Sequence, residues 1–305
     1  MIALTEIRKL DLRAAATSDR PSHLSAASGL VCVGSVIYVV ADDELHLGVF
    51  GASASAPGHL LRLFDGVLPG AQSARKQQKP DLEALVLLPA FADYPDGALL
   101  ALGSGSTYRR RAGALMSLDP HGVVQGSARA IELSPLLARL DNEFSALNIE
   151  GAVVVGDELR LFQRGNSRPP DNAIIRFRLT AVLDALISGR AGAIGPLAVH
   201  RCDLGALDGI PFSFTDATVL PSGEMVVTAV AEDTDNPYDD GGCVGALVGL
   251  FDRDGTRPRL HRLASTCKVE GVDARVDGDV VRLLLVTDAD DPAVPAALYS
   301  ATIPR

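Results

Sequence analysis

Four carboxylates, Glu83, Glu150, Asp216 and Glu270, each stand at the head of an apolar run, and each is followed by alanine or glycine. Oxygen donors of this type suit a hard cation such as Ca²⁺, or proton transfer to a bound substrate. Zinc would call for closely spaced His or Cys, and no such spacing occurs. A fifth copy of the motif, Ser28-Gly29-Leu30, carries a hydroxyl in the acid's place. The copies are separated by 55, 67, 66 and 54 residues, too even for chance and too long for a solenoid of small units. A circular array of sheets accounts for that period.

Each motif opens a hairpin: Ala152-Val153-Val154-Val155 runs through Gly156-Asp157-Glu158 into Leu159-Arg160-Leu161-Phe162, and the same grammar recurs after Ser28 and Asp216. A polar loop and two further strand-like runs follow each hairpin, so each unit holds four strands. The fifth unit ends one strand short, after Ala297–Ile303, and the unassigned segment Leu4–Leu10 is available to complete it. The prediction is therefore all-β: one domain spanning 1–305, a five-bladed β-propeller whose inner hairpins begin near 28, 83, 150, 216 and 270. An N-terminal strand closes the ring. Two stretches, Ser134–Leu140 and Thr180–Ile187, read as helical insertions from their apolar spacing and alanine content.

Innermost strands of a propeller line its axis, so the motif acids are expected at one rim of a central channel, where the second strands also end. Those ends carry Asp42-Asp43-Glu44, Gly103–Ser106, Gln163–Asn166, Glu232-Asp233 and Asp288-Ala289-Asp290. Four ionised acids roughly 8 Å apart would repel by about 2 kcal/mol per pair at an effective dielectric of about 20. Three arrangements offset this: neutralisation by Lys79, Lys268 and Arg164, a bound Ca²⁺, or protons retained on one or two acids. The metal set is Glu83, Glu150, Asp216 and Glu270. Glu150, Glu270 and Arg164 are the catalytic candidates, with His23 as general base ahead of the first motif. Lys79, Lys268, Arg109, Asn166 and Asp288 are the candidates for substrate contact. The acidic loop Asp233–Gly241 lacks EF-hand spacing and reads as a solvated turn, with a peripheral Ca²⁺ site as the alternative. Tyr108 and Tyr238 are the aromatic groups placed to stack on a ligand, and His200 and His261 fall on outer strands.

Net charge of −10, with no basic run longer than Arg109-Arg110-Arg111, argues against a nucleic-acid partner. No stretch approaches 18 uncharged apolar residues, so no membrane span is expected. Charges at Glu6, Arg8, Lys9 and Asp11 interrupt any secretory core, and a cytoplasmic location follows as an expectation. Cys32, Cys202, Cys243 and Cys267 have no pairing pattern and read as buried free thiols. Motifs of serine hydrolases, zincins, P-loop proteins and Rossmann folds are missing, and the lack of tryptophan weakens a lectin role.

The run Lys79-Pro80-Asp81-Leu82-Glu83-Ala84-Leu85 and the block Asn148–Ala152 with Gln163–Asn166 resemble a family of uncharacterised bacterial propellers. So do Phe214–Thr218 with Ala231–Thr234, and Lys268–Gly271 with Thr287–Asp291. More distantly, the acid-then-small repeat is similar to phytase-like (esterase-like) propellers, and the acid-lined channel to calcium-activated nucleotidases. That resemblance implies Ca²⁺-assisted hydrolysis of a phosphoester or phosphoanhydride. Two functions are thus expected of the same face: metal-assisted hydrolysis of a small anionic phosphoester or lactone, or capture of a small ligand or peptide without turnover. A purely structural polar ring is the third reading.

Overall fold

The computed structural model describes residues 1–305 except 54, 166–170, 190–191 and 234–240. Five antiparallel sheets follow one another along the chain. Their innermost strands, Ala27–Val33, Leu82–Leu88, Ile149–Val155, Ile210–Val219 and Lys268–Asp277, pack each on the next, and the last on the first. The five-bladed propeller is therefore closed. Alternation along each strand sends apolar side chains to both faces, and five hydrophobic cores result, one between each pair of neighbouring sheets.

Thr5–Lys9 forms the outermost strand of the last blade, pairing with Ala297–Pro304 in the register Thr5 to Ser300 and Lys9 to Ala297. That blade thus joins both ends of the chain, as expected. The fourth sheet departs from the four-strand plan by adding Ala206–Leu207 beside Ile210–Val219. Asp208 and Gly209 turn between them at φ of 52° and 86°, the paired positive values that close a two-residue hairpin. Helices Ser134–Leu137 and Leu179–Ser188 occupy the two predicted insertions. A third, Gln72–Gln78, has no apolar periodicity to announce it.

Each innermost strand has a register shift at the motif, bulging at Ser28, Glu83, Glu150, Thr215 and Glu270. A bulge leaves one residue unpaired and re-aims its side chain. In four of the five blades the residue after it is glycine or alanine, and the adjoining innermost strand comes close there: a Cβ on Gly151 would lie 2.9 Å from the Ala217 nitrogen. In those four blades the polar-then-small motif is thus a packing device, one residue set in the bulge and the next admitting the neighbouring blade.

The fourth copy corrects the sequence reading by one place. Thr215, not Asp216, occupies the bulge, and Asp216 takes the position of Gly29, Ala84, Gly151 and Gly271. A one-residue slip in a strand turns the side chain to the other face.

Candidate functional site

At the rim where the innermost strands begin, a cavity of about 170 Å³ opens on the axis. Among the described residues, ten carboxylates and six Lys or Arg side chains line it, an excess of four acids. The bulges deliver Glu83, Glu150 and Glu270. Ends of second strands and the loops after them deliver Asp42, Glu232, Asp288 and Asp290, and helix Gln72–Gln78 carries Arg75 and Lys76.

The charges fall into two groups. In the first, the Lys79 ammonium is clasped by Asp42 and lies 2.9 Å from Asp81. Asp81 also accepts from Arg110 at 2.9 Å and from the Ser104 hydroxyl at 2.6 Å. Its backbone is left-handed at φ 59°, a strained state for an aspartate that its buried partners hold in place. Asp42, Asp81 and Glu83 offer carboxylate oxygens within 4.8 Å of one another, an arrangement able to hold a metal ion. Among the described residues Glu83 alone of the three has no ion-pair partner.

In the second group, Arg164 reaches Glu232 at 2.5 Å, Glu150 at 3.5 Å and Glu270 at 3.7 Å. Lys268 lies 2.8 Å from Asp290 and 3.5 Å from both Glu232 and Glu270. Asn148 adds a 2.5 Å donor to Glu150. Oε1 of Glu232 and Oε1 of Glu270 are buried and receive no hydrogen bond from the described residues, and the Lys268 ammonium balances both from 3.5 Å.

Burial dominates the acid–base behaviour. It lifts Glu83 well above the usual carboxylate range, helped by Glu150, Asp81 and Asp42 and opposed by Lys79. Glu150 and Glu270 are raised by burial against the pull of Arg164 and Lys268. Asp288 is pushed up to about 8 by burial, with Lys268 opposing. Burial works against the Lys79 charge, yet Asp42 and Asp81 more than offset it, so the ammonium persists throughout the neutral range.

Of the candidates read from sequence, Glu83, Glu150, Glu270, Arg164, Lys79, Lys268 and Asp288 meet around this cavity. Asp216 does not. Its carboxylate accepts the Val272 amide at 2.8 Å, fastening the fourth blade to the fifth, while Thr215 in the bulge donates to the Val269 carbonyl at 2.7 Å. The expected four-acid metal set therefore does not form, because Arg164 and Lys268 engage Glu150 and Glu270 while Glu83 lies with Asp42 and Asp81. His23 stands one layer back, its Nε2 3.2 Å from the carbonyl of Pro292, which itself lines the cavity. Arg109 sits in the short 3₁₀ turn Tyr108–Arg110 outside the lining, and Arg110 reaches in instead. Tyr108 is 77% exposed, away from the lining. Asn166, Tyr238 and all but the ends of the acidic loop 233–241 lie outside the described residues. Sequence reasoning noted Asp42, Asp81 and Glu232 without assigning them roles. Their signal was position, at the mouth of the same hairpins as the motif acids.

All four cysteines are free but only partly buried rather than fully buried as expected, and burial raises Cys202 and Cys243 to about 11, so neither of these two is a ready nucleophile. No helix among the described residues is long and apolar enough to cross a membrane.

Fold and site together define a closed five-bladed propeller with a charged, carboxylate-rich pocket at one end of its axis. The chain belongs to the family of unknown function DUF6929, whose model matches residues 23–303. No curated protein matches it. Among solved structures it is similar to a luciferin-regenerating enzyme at 10% identity and TM-score 0.50, covering 99% of this chain and 95% of that one. Glutaminyl cyclase of Myxococcus xanthus is similar at 10% identity and TM-score 0.50, covering 100% and 98%. The GH62 α-L-arabinofuranosidase catalytic domain of Coprinopsis cinerea is similar at 9% identity and TM-score 0.50, covering 99% and 95%. At such identities the likeness is one of fold.

Proposed function

We propose that the hub cavity binds a divalent cation, Ca²⁺ on its all-oxygen donor set, through Asp42, Asp81 and Glu83, and hydrolyses a small anionic phosphoester or lactone there. The observation that carries this reading is the convergence of the three carboxylates within 4.8 Å with Glu83 left unpaired. A bound cation would supply polarisation of the substrate's phosphoryl or acyl oxygen. The protein's own groups divide the remaining work. Glu83, whose carboxyl is held well above the usual range by burial before a cation binds, would give up its proton as the cation enters. Lys79, Lys268 and Arg164 supply fixed positive charge to an anionic substrate that the excess of acids would otherwise repel. Lys79 already neutralises two of the three metal-binding acids, so cation entry must move its ammonium aside.

The resemblance to phytase-like propellers and calcium-activated nucleotidases supports the same chemistry. On this reading the partner is a small anionic molecule rather than nucleic acid or a membrane, and the protein works in the cytoplasm. Arg164 and Lys268 already balance Glu150, Glu232 and Glu270 without a cation, which favours a second reading, capture of a small ligand or peptide without turnover.

Calorimetric titration of chelator-treated protein with Ca²⁺, Mg²⁺ and Mn²⁺, followed by phosphoester and lactone assays, separates the two. Saturable Ca²⁺ binding lost in Glu83→Gln, with turnover that stops on chelation, is the expected result. A ligand retained after chelation, with no turnover across the panel, would overturn hydrolysis in favour of binding.

A further inference from the structure

The opposite rim holds a different site. Far ends of the innermost strands and the wedge between the lower halves of the fifth and first sheets enclose a cavity of about 960 Å³, large enough for a whole small-molecule ligand. Its wall mixes polar surface with aliphatic side chains, Val31, Val154, Val219 and Leu284 among the latter. Leu87 and Ile7, also in the lining, remain 41% and 47% exposed. They stand on different blades, Leu87 on the innermost strand of the second and Ile7 on the outermost strand of the fifth, so apolar side chains are open at two separate parts of the lining.

Charge is placed there as well. Arg275 and Arg282 lie directly opposite one another on the paired strands Lys268–Asp277 and Val280–Asp288, so both guanidinium groups rise from the same face into the cavity. Like charges in directly opposed positions weaken a sheet. Asp277 clasps Arg282, but no described carboxylate forms a salt bridge with Arg275. Asp273, on the same face, is engaged by the Cys32 thiol of the first blade. Two adjacent guanidinium forks, one clasped by Asp277 and the other attracted by Asp273 without a salt bridge, suit a bidentate oxyanion.

We propose that this wedge binds an amphiphilic anion, an acyl chain with a carboxylate or phosphate head, gripped at the head by Arg275 and Arg282 and covered along the chain by Ile7, Leu87, Val154 and Leu284. The site is separate from the hub pocket and needs no cation. It stands or falls independently of the hydrolytic reading.

Calorimetry in the presence of chelator, with dodecanoate, dodecyl phosphate and dodecanol kept below their aggregation concentrations, tests it. One saturable site is expected, with the better of the two anions bound at least about tenfold more tightly than dodecanol, since each bidentate pair adds charge-assisted bonds. The tighter anion assigns the head. Arg275→Ala and Arg282→Ala should each weaken that anion several-fold and leave dodecanol unchanged. Thr302→Trp, at an exposed position of the lining where the fold has room, should block all three. Absence of saturable binding, equal affinity for anion and alcohol, or association only with anionic lipid vesicles would overturn the proposal.

Discussion

Replacing Lys79 by methionine removes the only ammonium that touches both Asp42 and Asp81 among the described residues, while keeping most of the side-chain volume. Breaking a buried ion pair by deleting one partner costs about 3–5 kcal/mol, because the abandoned charge stays desolvated. Spread over 305 residues, an unfolding entropy of about 2.1 cal/mol/K per residue converts that cost to a fall in Tm of about 5–8 °C. The fall should depend on pH with a definite sign. Burial already raises the Asp42 carboxyl, and losing Lys79 raises it further. A carboxyl whose folded pKa exceeds its unfolded value of about 3.9 destabilises the fold progressively as pH rises between the two. The deficit should therefore be small near pH 4 and complete only above the raised folded value. Cation should rescue the variant: at a hundredfold excess over Kd, Ca²⁺ returns about 2.7 kcal/mol, or about 4 °C. Scanning calorimetry from pH 4 to 8, with and without Ca²⁺, reads every part of this. A Tm within about 1 °C of wild type at pH 7.5, or a deficit that ignores both pH and Ca²⁺, would refute the role given to this lysine.

Glu83→Gln should raise the stability of the metal-free protein by about 1–2 kcal/mol near pH 8, since it removes a buried charge repelled by Glu150, Asp81 and Asp42. The gain should vanish near pH 4, where the native carboxyl is already protonated, and denaturant titration at the two pH values checks it. Thr215→Val deletes hydrogen bonds to the Val269 carbonyl and the Thr228 hydroxyl and should cost about 1–3 kcal/mol, with Ca²⁺ affinity unchanged. Deleting residues 1–9 bares the edge of Ala297–Pro304, and a concentration-dependent loss of monomer in light scattering is the expected result.

The ring was legible because hairpin grammar survives in composition: Leu30–Val40, Ala152–Phe162 and Thr218–Thr228 each set two apolar runs about a glycine-containing polar turn. The bulges were not. In Phe214-Thr215-Asp216-Ala217 the only polar-then-small pair is Asp216-Ala217, which points to the wrong register, and only pairing with Thr228 shows that Asp216 belongs one place further on. Local composition could not choose Arg110 over Arg109, since a 3₁₀ turn decides which one faces Asp81. Helix Gln72–Gln78 was hidden for a similar reason: QSARKQQ presents no apolar stripe, although the helix brings Arg75 to Asp43 at 3.3 Å. The motif acids were found, but their true neighbours, Asp42 and Asp81, depend on how loops fold over the rim.

The clasp between Thr5–Lys9 and Ala297–Pro304 also sets a schedule for biogenesis. Of the propeller's strands, the one made first finds its partner last, after roughly 15–60 s of further elongation at about 5–20 residues per second. Throughout that wait it must neither pair with a half-made blade nor attract a neighbouring nascent chain. Its sequence, Thr-Glu-Ile-Arg-Lys, supplies the restraint, because three charges in five residues keep a lone strand soluble until the final sheet emerges.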